Sequence, residues 1–471
     1  MGEIVQAFNV RATFRWRSLL LIGTAALGGA IHVADGTLCP TALASLTLAI
    51  GCCLAGIFLL RTAHREAPGA GPELLALRLI LIIQFGMLLT SNPAAGFLRE
   101  GNGLPWMFVS GVGVAAMAGL LCMAAGSRAG AAAFSLVLSC HFVVGLWFLQ
   151  HTNRPVIDTL MFQHHGASAL WEGSNPYAMR LRDTYSPENS AQFYGPDGSV
   201  NGRLTFGFPY PPLSLFLVAP AYWLGDVRYA HLLAMTLAAA LIGFVRPGKW
   251  SYGVATLFLF TPRVFLVLGA SWTEPLAVLL LAAVVFCACR RPTTAPWVLG
   301  LLLAVKQYMV LAVPLVALLL PAGFRWRKLG GLWWRSMAVA LAVSLPLILW
   351  DAAEFMHNIV RLQVCSPFRH DALSYVAWLF PNHAPPASVA LGLPLAAVFL
   401  ATIFVLWRCP RGPSGFALAV GVVLLCFFAF GKQASANYYY FVIGALCCGL
   451  AAAGPPAGGS APMSSASKQA G

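Results

Sequence analysis

HFVVGLWFLQHTNRPVIDTLMFQHHGASALWEGSNPY, residues 141–177, changes character part-way along. Its first part closes an apolar run, 129–149, and its second part, from Asp158, mixes apolar residues with two carboxylates and a His164-His165 pair. A helix needs about 20 apolar residues to cross ~30 Å of hydrocarbon. The stretch therefore reads as a membrane span opening into a polar loop, and the question is whether the rest of the chain repeats that pattern.

It does. Apolar runs recur at 18–34, 41–60, 76–92, 106–125, 129–149, 211–224, 228–245, 251–268, 273–289, 295–320, 336–350, 388–407, 414–430 and 438–453. Of 471 residues 59% are hydrophobic and 9% charged, against roughly 25% charged in soluble domains, and mean hydropathy is +0.76. In hydrocarbon each backbone amide must bond within its own segment, and these runs are too long and too evenly apolar for barrel strands. The expected fold class is an all-α polytopic membrane protein.

The net charge of +14 is spent at helix ends. Arg11, Arg15, Arg17, Arg61, Arg65, Arg128, Arg290, Arg291, Arg325, Arg327, Lys328, Arg335, Arg408 and Arg411 mark one side, which the positive-inside rule makes cytoplasmic. No basic run is interleaved with aromatic residues, so nucleic acid is not an expected partner. Arg11, Arg15 and Arg17 precede the first run as they would in a signal peptide, but no small-residue cleavage site follows, and the run is expected to remain as a helix. The twelve cysteines lie mostly inside apolar runs with no C-x-x-C pair, which supports neither a zinc nor a redox site.

Alternation from a cytoplasmic N-terminus puts the loop 151–210 outside, after about five helices in 1–150. Arg246 and Lys249 break the alternation, because both would lie outside if 211–224 and 228–245 each crossed. One segment there is expected to be broken, re-entrant or interfacial, as Pro262-Arg263 and Lys306 also imply for their own runs. Twelve to fourteen helices are expected, those after the loop lying in 211–453. The Gly/Ser/Pro-rich tail, 454–471, is expected to be disordered in the cytoplasm. No internal repeat is visible, which weighs against an inverted-repeat transporter.

Within the loop, 158–172 reads as one helix, with Gly173 as its stop and Asn175-Pro176 as a turn. Ile157, Leu160, Met161, Leu170 and Trp171 supply an apolar side; Asp158, His165 and Glu172 recur every seven positions and share a face. That pattern fits an amphipathic helix at the membrane surface. Asp158 also fits a simple N-terminal helix charge. His164 and His165 point to different faces and have no third ligand at useful spacing, so a metal site is not expected.

FGFPYPPLSLFLVAP, 206–220, follows, with Pro211-Pro212 at the mouth of the next run. An outer Asp, an amphipathic helix ending in Gly173-x-Asn175-Pro176-Tyr177, and a Tyr210-Pro-Pro-Leu213 opening resemble the C superfamily of membrane glycosyltransferases. The closest resemblance is to bacterial polyprenyl-phosphate-mannose-dependent mannosyltransferase-like proteins, over roughly 158–225. Weaker echoes lie at Lys306, at Ser366-Pro367-Phe368-Arg369 and at Lys432.

The resemblance implies a multi-pass protein of the inner (plasma) membrane whose extracytoplasmic first loop carries the catalytic base, which falls on Asp158. It also implies a polyprenyl phosphate sugar as donor, a glycan, glycolipid or protein as acceptor, an inverting single displacement, and no metal or other cofactor. In much of the superfamily the loop follows the first helix; here four spans come before the fifth, so Asp35, in ADGTLCP, stays open as an alternative base.

Transfer from a sugar phosphate needs a base at the acceptor hydroxyl and positive charge at the departing phosphate. For the second, the outer side offers Arg361, Arg369, His370 and Lys432, with Lys306 at the break of its run. An ammonium inside an apolar run costs about 2.5–3.5 kcal/mol on insertion scales, so Lys306 is expected either to meet a phosphate or to snorkel to the interface. Glu274 is a candidate for acceptor hydroxyls, Asp351 for a loop cap, and His165, Glu172 and Tyr177 for substrate contacts. Tyr438, first of three tyrosines, lines either a substrate path or an aromatic belt. A transporter or flippase of lipid-linked sugar, or a noncatalytic relative, are the competing readings; they differ in whether the polar groups gather at one face or near the midplane.

Overall fold

A computed structural model describes residues 2–60, 71–93 and 105–453. The tail 454–471 and Arg61 and Arg65 lie outside the described residues. The chain enters through α1 (Gly2–Val33), α2 (Pro40–Leu60), α3 (Gly71–Thr90), α4 (Trp106–Ala124) and α5 (Ser127–His151). The loop that follows holds α6 (Asp158–Trp171), α7 (Pro187–Tyr194) and a hairpin of β1 (Ser199–Val200) with β2 (Arg203–Leu204). Its turn is Asn201-Gly202, both at positive φ, the pairing a two-residue hairpin turn demands.

Next come α8 (Pro212–Tyr222), α9 (Arg228–Val245), α10 (Lys249–Leu259), α11 (Val264–Gly269), α12 (Glu274–Arg290) and α13 (Ala295–Leu303). A 3-10 segment, Gln307–Leu319, leads to α14 (Trp326–Trp350). A polar stretch with α15 (Ala352–Met356), α16 (Leu362–Cys365) and α17 (Tyr375–Leu379) then joins α14 to α18 (Ala387–Arg408), α19 (Pro413–Ala429) and α20 (Ala436–Ala452).

Among the described residues eight helices are long and apolar enough to cross a membrane: α1, from Trp16, α2 to α5, α9, α14 and α18. This is fewer than the twelve to fourteen expected, and the difference has a local cause. The run 251–268 is divided at Pro262 and Arg263, where Arg263 takes the left-handed conformation, φ +67°. The run 295–320 is divided at Lys306, beyond which the chain tightens to 3-10 turns. α8 has 11 residues, short of the ~20 a straight span needs, while α12, α19 and α20 have 17 each, at the lower end of the range of about 17–25 for a span.

Hydrogen bonds and an ion pair sort the two ends of the bundle. At one end Arg17 pairs with Glu73 at 3.1 Å, Arg78 donates to the Met123 carbonyl and Lys249 to the Ala124 carbonyl, and Arg290 to that of Val245. At the other, Leu38 N donates to the Asp371 carbonyl, Arg369 N to that of Lys432, and Thr159 Oγ1 to that of Ala270. α8, with 11 residues, is too short for a span, which accounts for the odd position of Arg246 and Lys249. It lies beside α6, with Trp171 Nε1 bonded to the Ala219 carbonyl at 3.2 Å, and α9 is the return pass.

α19 and α20 are buried on almost every side and form the centre. α14 and α18 are peripheral, with 17% of their most apolar windows buried, so their leucine-rich faces meet lipid. With no hydrophobic drive between helices in lipid, close packing of small residues carries the association. At Gly300 of α13 a Cβ would sit 2.3 Å from the Ser336 carbonyl of α14, so only glycine allows that approach.

Candidate active site

α6 begins at Asp158, directly after Ile157 in extended conformation. The carboxylate closes onto its own first turn: Oδ1 accepts from Thr159 N at 2.6 Å. Oδ2 accepts from the Tyr194 hydroxyl at 3.1 Å, and the Asp158 amide donates to the Tyr185 hydroxyl at 3.3 Å. The expected surface helix is thus more enclosed than its pattern implied. Thr159, Leu160, Phe162, Gln163, Gly166, Ala167 and Ala169 are buried, while His165, Trp171 and Glu172 are exposed.

α7 assembles the rest. Ser186 caps it, accepting from Asn189 N, and Pro187 occupies its first turn. Asp183 fixes the approach by accepting from the Tyr185 amide at 3.0 Å and from the Ser190 hydroxyl. Two neighbouring residues at its end then divide the work. Tyr194 reaches Asp158, and the Phe193 ring lies 4.3 Å beneath the Arg369 guanidinium. Tyr185 packs edge-on against Phe193 at 4.7 Å, closing the layer.

Arg369 is held by Asp371, with Nε to Oδ1 at 2.8 Å and a second bond from Nη2 to Oδ2. Burial weakens the Arg369 charge, but the bonded Asp371 carboxylate and the nearby Asp158 outweigh it, and its pKa rises. Asp371 moves down: desolvation opposes this, and the guanidinium prevails. For Asp158, burial pushes the pKa above the usual carboxylate range. The Tyr194 hydroxyl, the Thr159 amide, the Arg369 charge and Tyr185 pull it part of the way back. Tyr185 and Tyr194 are raised by burial first and then by the Asp158 charge, so both remain hydroxyl donors.

Lys306 and Glu274 form a second group. Lys306 Nζ donates to Thr273 Oγ1 at 2.6 Å and lies 3.1 Å from Glu274 Oε1. It also sits 4.4 Å above the Tyr210 ring. The partner of Lys306 is therefore a carboxylate of this chain. Glu274 is fully buried, and its Oε2 has no bonding partner among the described residues. Tyr210 is within electrostatic reach of both Asp158 and Glu274, and its pKa rises, mainly through burial. Tyr438, beside Phe428 and Tyr308, is within reach of Glu274, Arg369 and Asp158. These two tyrosines join the groups.

The remaining candidates lie apart. Tyr177 is buried and donates to the Tyr210 carbonyl at 2.8 Å, so it positions Tyr210 rather than facing the cluster. Lys432 Nζ is bonded to the carbonyls of Val364 and Ser366, and burial pushes its pKa down. His370 lies 3.3 Å from the Phe380 carbonyl, and Arg361 is exposed. Glu172 accepts from Ser168, and His165 is exposed. Residues seven positions apart on a helix are about 10 Å apart along its axis, so sharing a face with Asp158 does not bring His165 and Glu172 to it. Asp351 caps α15, accepting from Glu354 N at 3.0 Å. Asp35 is paired with Arg263 at 2.6 Å.

Tyr185, Phe193, Tyr194, Asp371 and Thr273 were absent from the sequence reading, and Tyr210 entered it only as the opening of an apolar run. The signal for α7 was present in Ser186-Pro187-Glu188, a cap followed by a first-turn proline. No family model matches the chain, and neither a curated protein nor a solved structure matches it.

Proposed function

We propose that this chain is a membrane glycosyltransferase that moves a sugar from a polyprenyl phosphate carrier to an acceptor hydroxyl at the extracytoplasmic face of the inner membrane. The observation that carries the reading is the Asp158 carboxylate, raised in pKa by burial, oriented by Tyr194 and in reach of the Arg369 cation. It lies at the bundle end opposite Arg17, Lys249 and Arg290, which supports an outward site.

In this reaction Asp158 takes the acceptor proton as the acceptor oxygen forms its bond to the anomeric carbon. The bond from that carbon to the phosphate oxygen breaks on the opposite face, and the phosphate keeps the electron pair. A base whose pKa is raised above the usual carboxylate range suits that task. Arg369 and Lys306 each have a carboxylate partner, Asp371 and Glu274, but the Arg369 side chain is 26% exposed against 7% for Lys306, which makes Arg369 the more accessible phosphate partner; Tyr210 and Tyr438 are left to contact the sugar.

Purified protein incubated with a labelled polyprenyl phosphate sugar and candidate acceptors tests the proposal. Wild type is expected to transfer label, and Asp158→Asn to lose at least about a hundredfold in rate. Undiminished transfer by the variant removes Asp158 as base. Movement of the labelled lipid across vesicle membranes without transfer favours the transporter reading, for which the buried Lys306–Glu274 pair among apolar helices is the supporting observation.

A further inference from the structure

A cavity of about 420 Å³ opens between the end of α5 and the α8–α9 connection. Leu149, Gln150, Thr152, Asn153 and Arg154 line one wall, and Leu224 to Asp226, Arg228 and Tyr229 the other. It shares no residue with the cluster around Asp158. The His164 ring, stacked edge-on at 5.0 Å against Tyr222, is within electrostatic reach of Arg154 and Asp226. The half of the histidine pair that faces away from the proposed site thus belongs to the surroundings of this cavity.

Its charge is uneven. Arg228, 1% exposed, bonds Asp226 through Nε at 3.0 Å and Nη2 at 2.7 Å. That leaves Arg228 Nη1 buried with no partner among the described residues. Arg154 is exposed and spends one nitrogen on the Gly225 carbonyl. Two guanidinium groups against one carboxylate leave a net positive wall with free N–H donors. An oxyanion is the ligand such forks fit best, since it accepts several short charge-assisted bonds at once.

The rim indicates where that oxyanion comes from. Trp171 and Trp223 meet edge-on at 5.4 Å and are both exposed, and Leu224 beside them is 72% exposed. Exposed tryptophans at the end of a helix bundle mark headgroup depth in a bilayer. A volume of this size holds a headgroup while acyl chains pass over the apolar rim.

We propose that this cavity binds the phosphate of an anionic phospholipid headgroup, with Arg154 and Arg228 Nη1 as donors. The test uses the full chain in neutral maltoside detergent, titrated calorimetrically with dihexanoylphosphatidylglycerol, dihexanoylglycerol and inorganic phosphate. Arg154→Gln is compared with wild type and with Arg291→Gln, an exposed arginine at the opposite bundle end. Arg154 is exposed, and its loss removes one bond, to the Gly225 carbonyl.

Phosphatidylglycerol is expected to saturate wild type and Arg291→Gln alike, to bind Arg154→Gln at least tenfold more weakly, and dihexanoylglycerol not to bind. Displacement of the lipid by inorganic phosphate at similar concentration supports the phosphate site and assigns it to the free ion. Equal binding of the diglyceride, unchanged affinity in Arg154→Gln, or no binding to wild type overturns the proposal.

Discussion

Two opposing influences meet at the Asp158 carboxyl: burial raises its pKa, while the Tyr194 hydroxyl, the Thr159 amide and Arg369 lower it. The net rise means that, between the unfolded and folded values, the native state holds the extra proton. Stability therefore falls as pH rises through that window. Asp158→Asn is expected to raise the thermal midpoint at neutral pH while abolishing transfer, a pattern common where function opposes stability; a lower midpoint measured by differential scanning would contradict it. Tyr194→Phe removes a hydrogen bond to the charged form, worth roughly 1.5 kcal/mol, or about one pH unit. The acid limb of its pH–rate profile should move to higher pH by that amount, with rate recovered at alkaline pH.

Elements carry the next layer, because loops rather than spans bring the cluster together. At Gly207 a Cβ would lie 2.3 Å from the Tyr177 carbonyl. The same carbonyl accepts from Asn358 Nδ2, whose Oδ1 takes the Gly207 amide at 2.6 Å. Gly207→Ala should displace the segment carrying Tyr210, costing about 1–3 kcal/mol as overpacking does, and raise the KM for donor more than it lowers kcat. A variant with unchanged midpoint and KM would show that this lock is not needed. Asp35 belongs to a different element contact, its pairing with Arg263 at the α10–α11 break. Asp35→Asn is expected to keep transfer within about twofold of wild type, since a partly exposed pair contributes little. A loss as large as that of Asp158→Asn would move the base to Asp35. The boundaries of α6 were legible in the sequence, from Asp158 to the Gly173 stop, but its burial was not. The partners that cover it, α8 and the carbonyls of Ala270 and Ser271, come from more than 40 residues away.

For the whole molecule, the decisive charge is the buried Lys306–Glu274 pair, where two breaks in helical runs meet. Removing one partner leaves an uncompensated buried charge, at a cost of about 3–5 kcal/mol. Lys306→Met should therefore unfold at markedly lower temperature, and the double variant Lys306→Met/Glu274→Gln should regain part of the loss. Equal midpoints for single and double variants, read from detergent-solubilised protein, would show the pair to be uncoupled. The sequence by itself determined the class: apolar run lengths demand helices in lipid. It also marked Asp158, because a carboxylate directly after a span has few places to go. Only the tertiary structure decided that α8 is too short for a span, that Lys306 answers to Glu274, and that Tyr194 and Phe193 connect Asp158 with Arg369. The physical reason is that hydropathy states which environment a segment tolerates, whereas pairing depends on which distant segment arrives beside it.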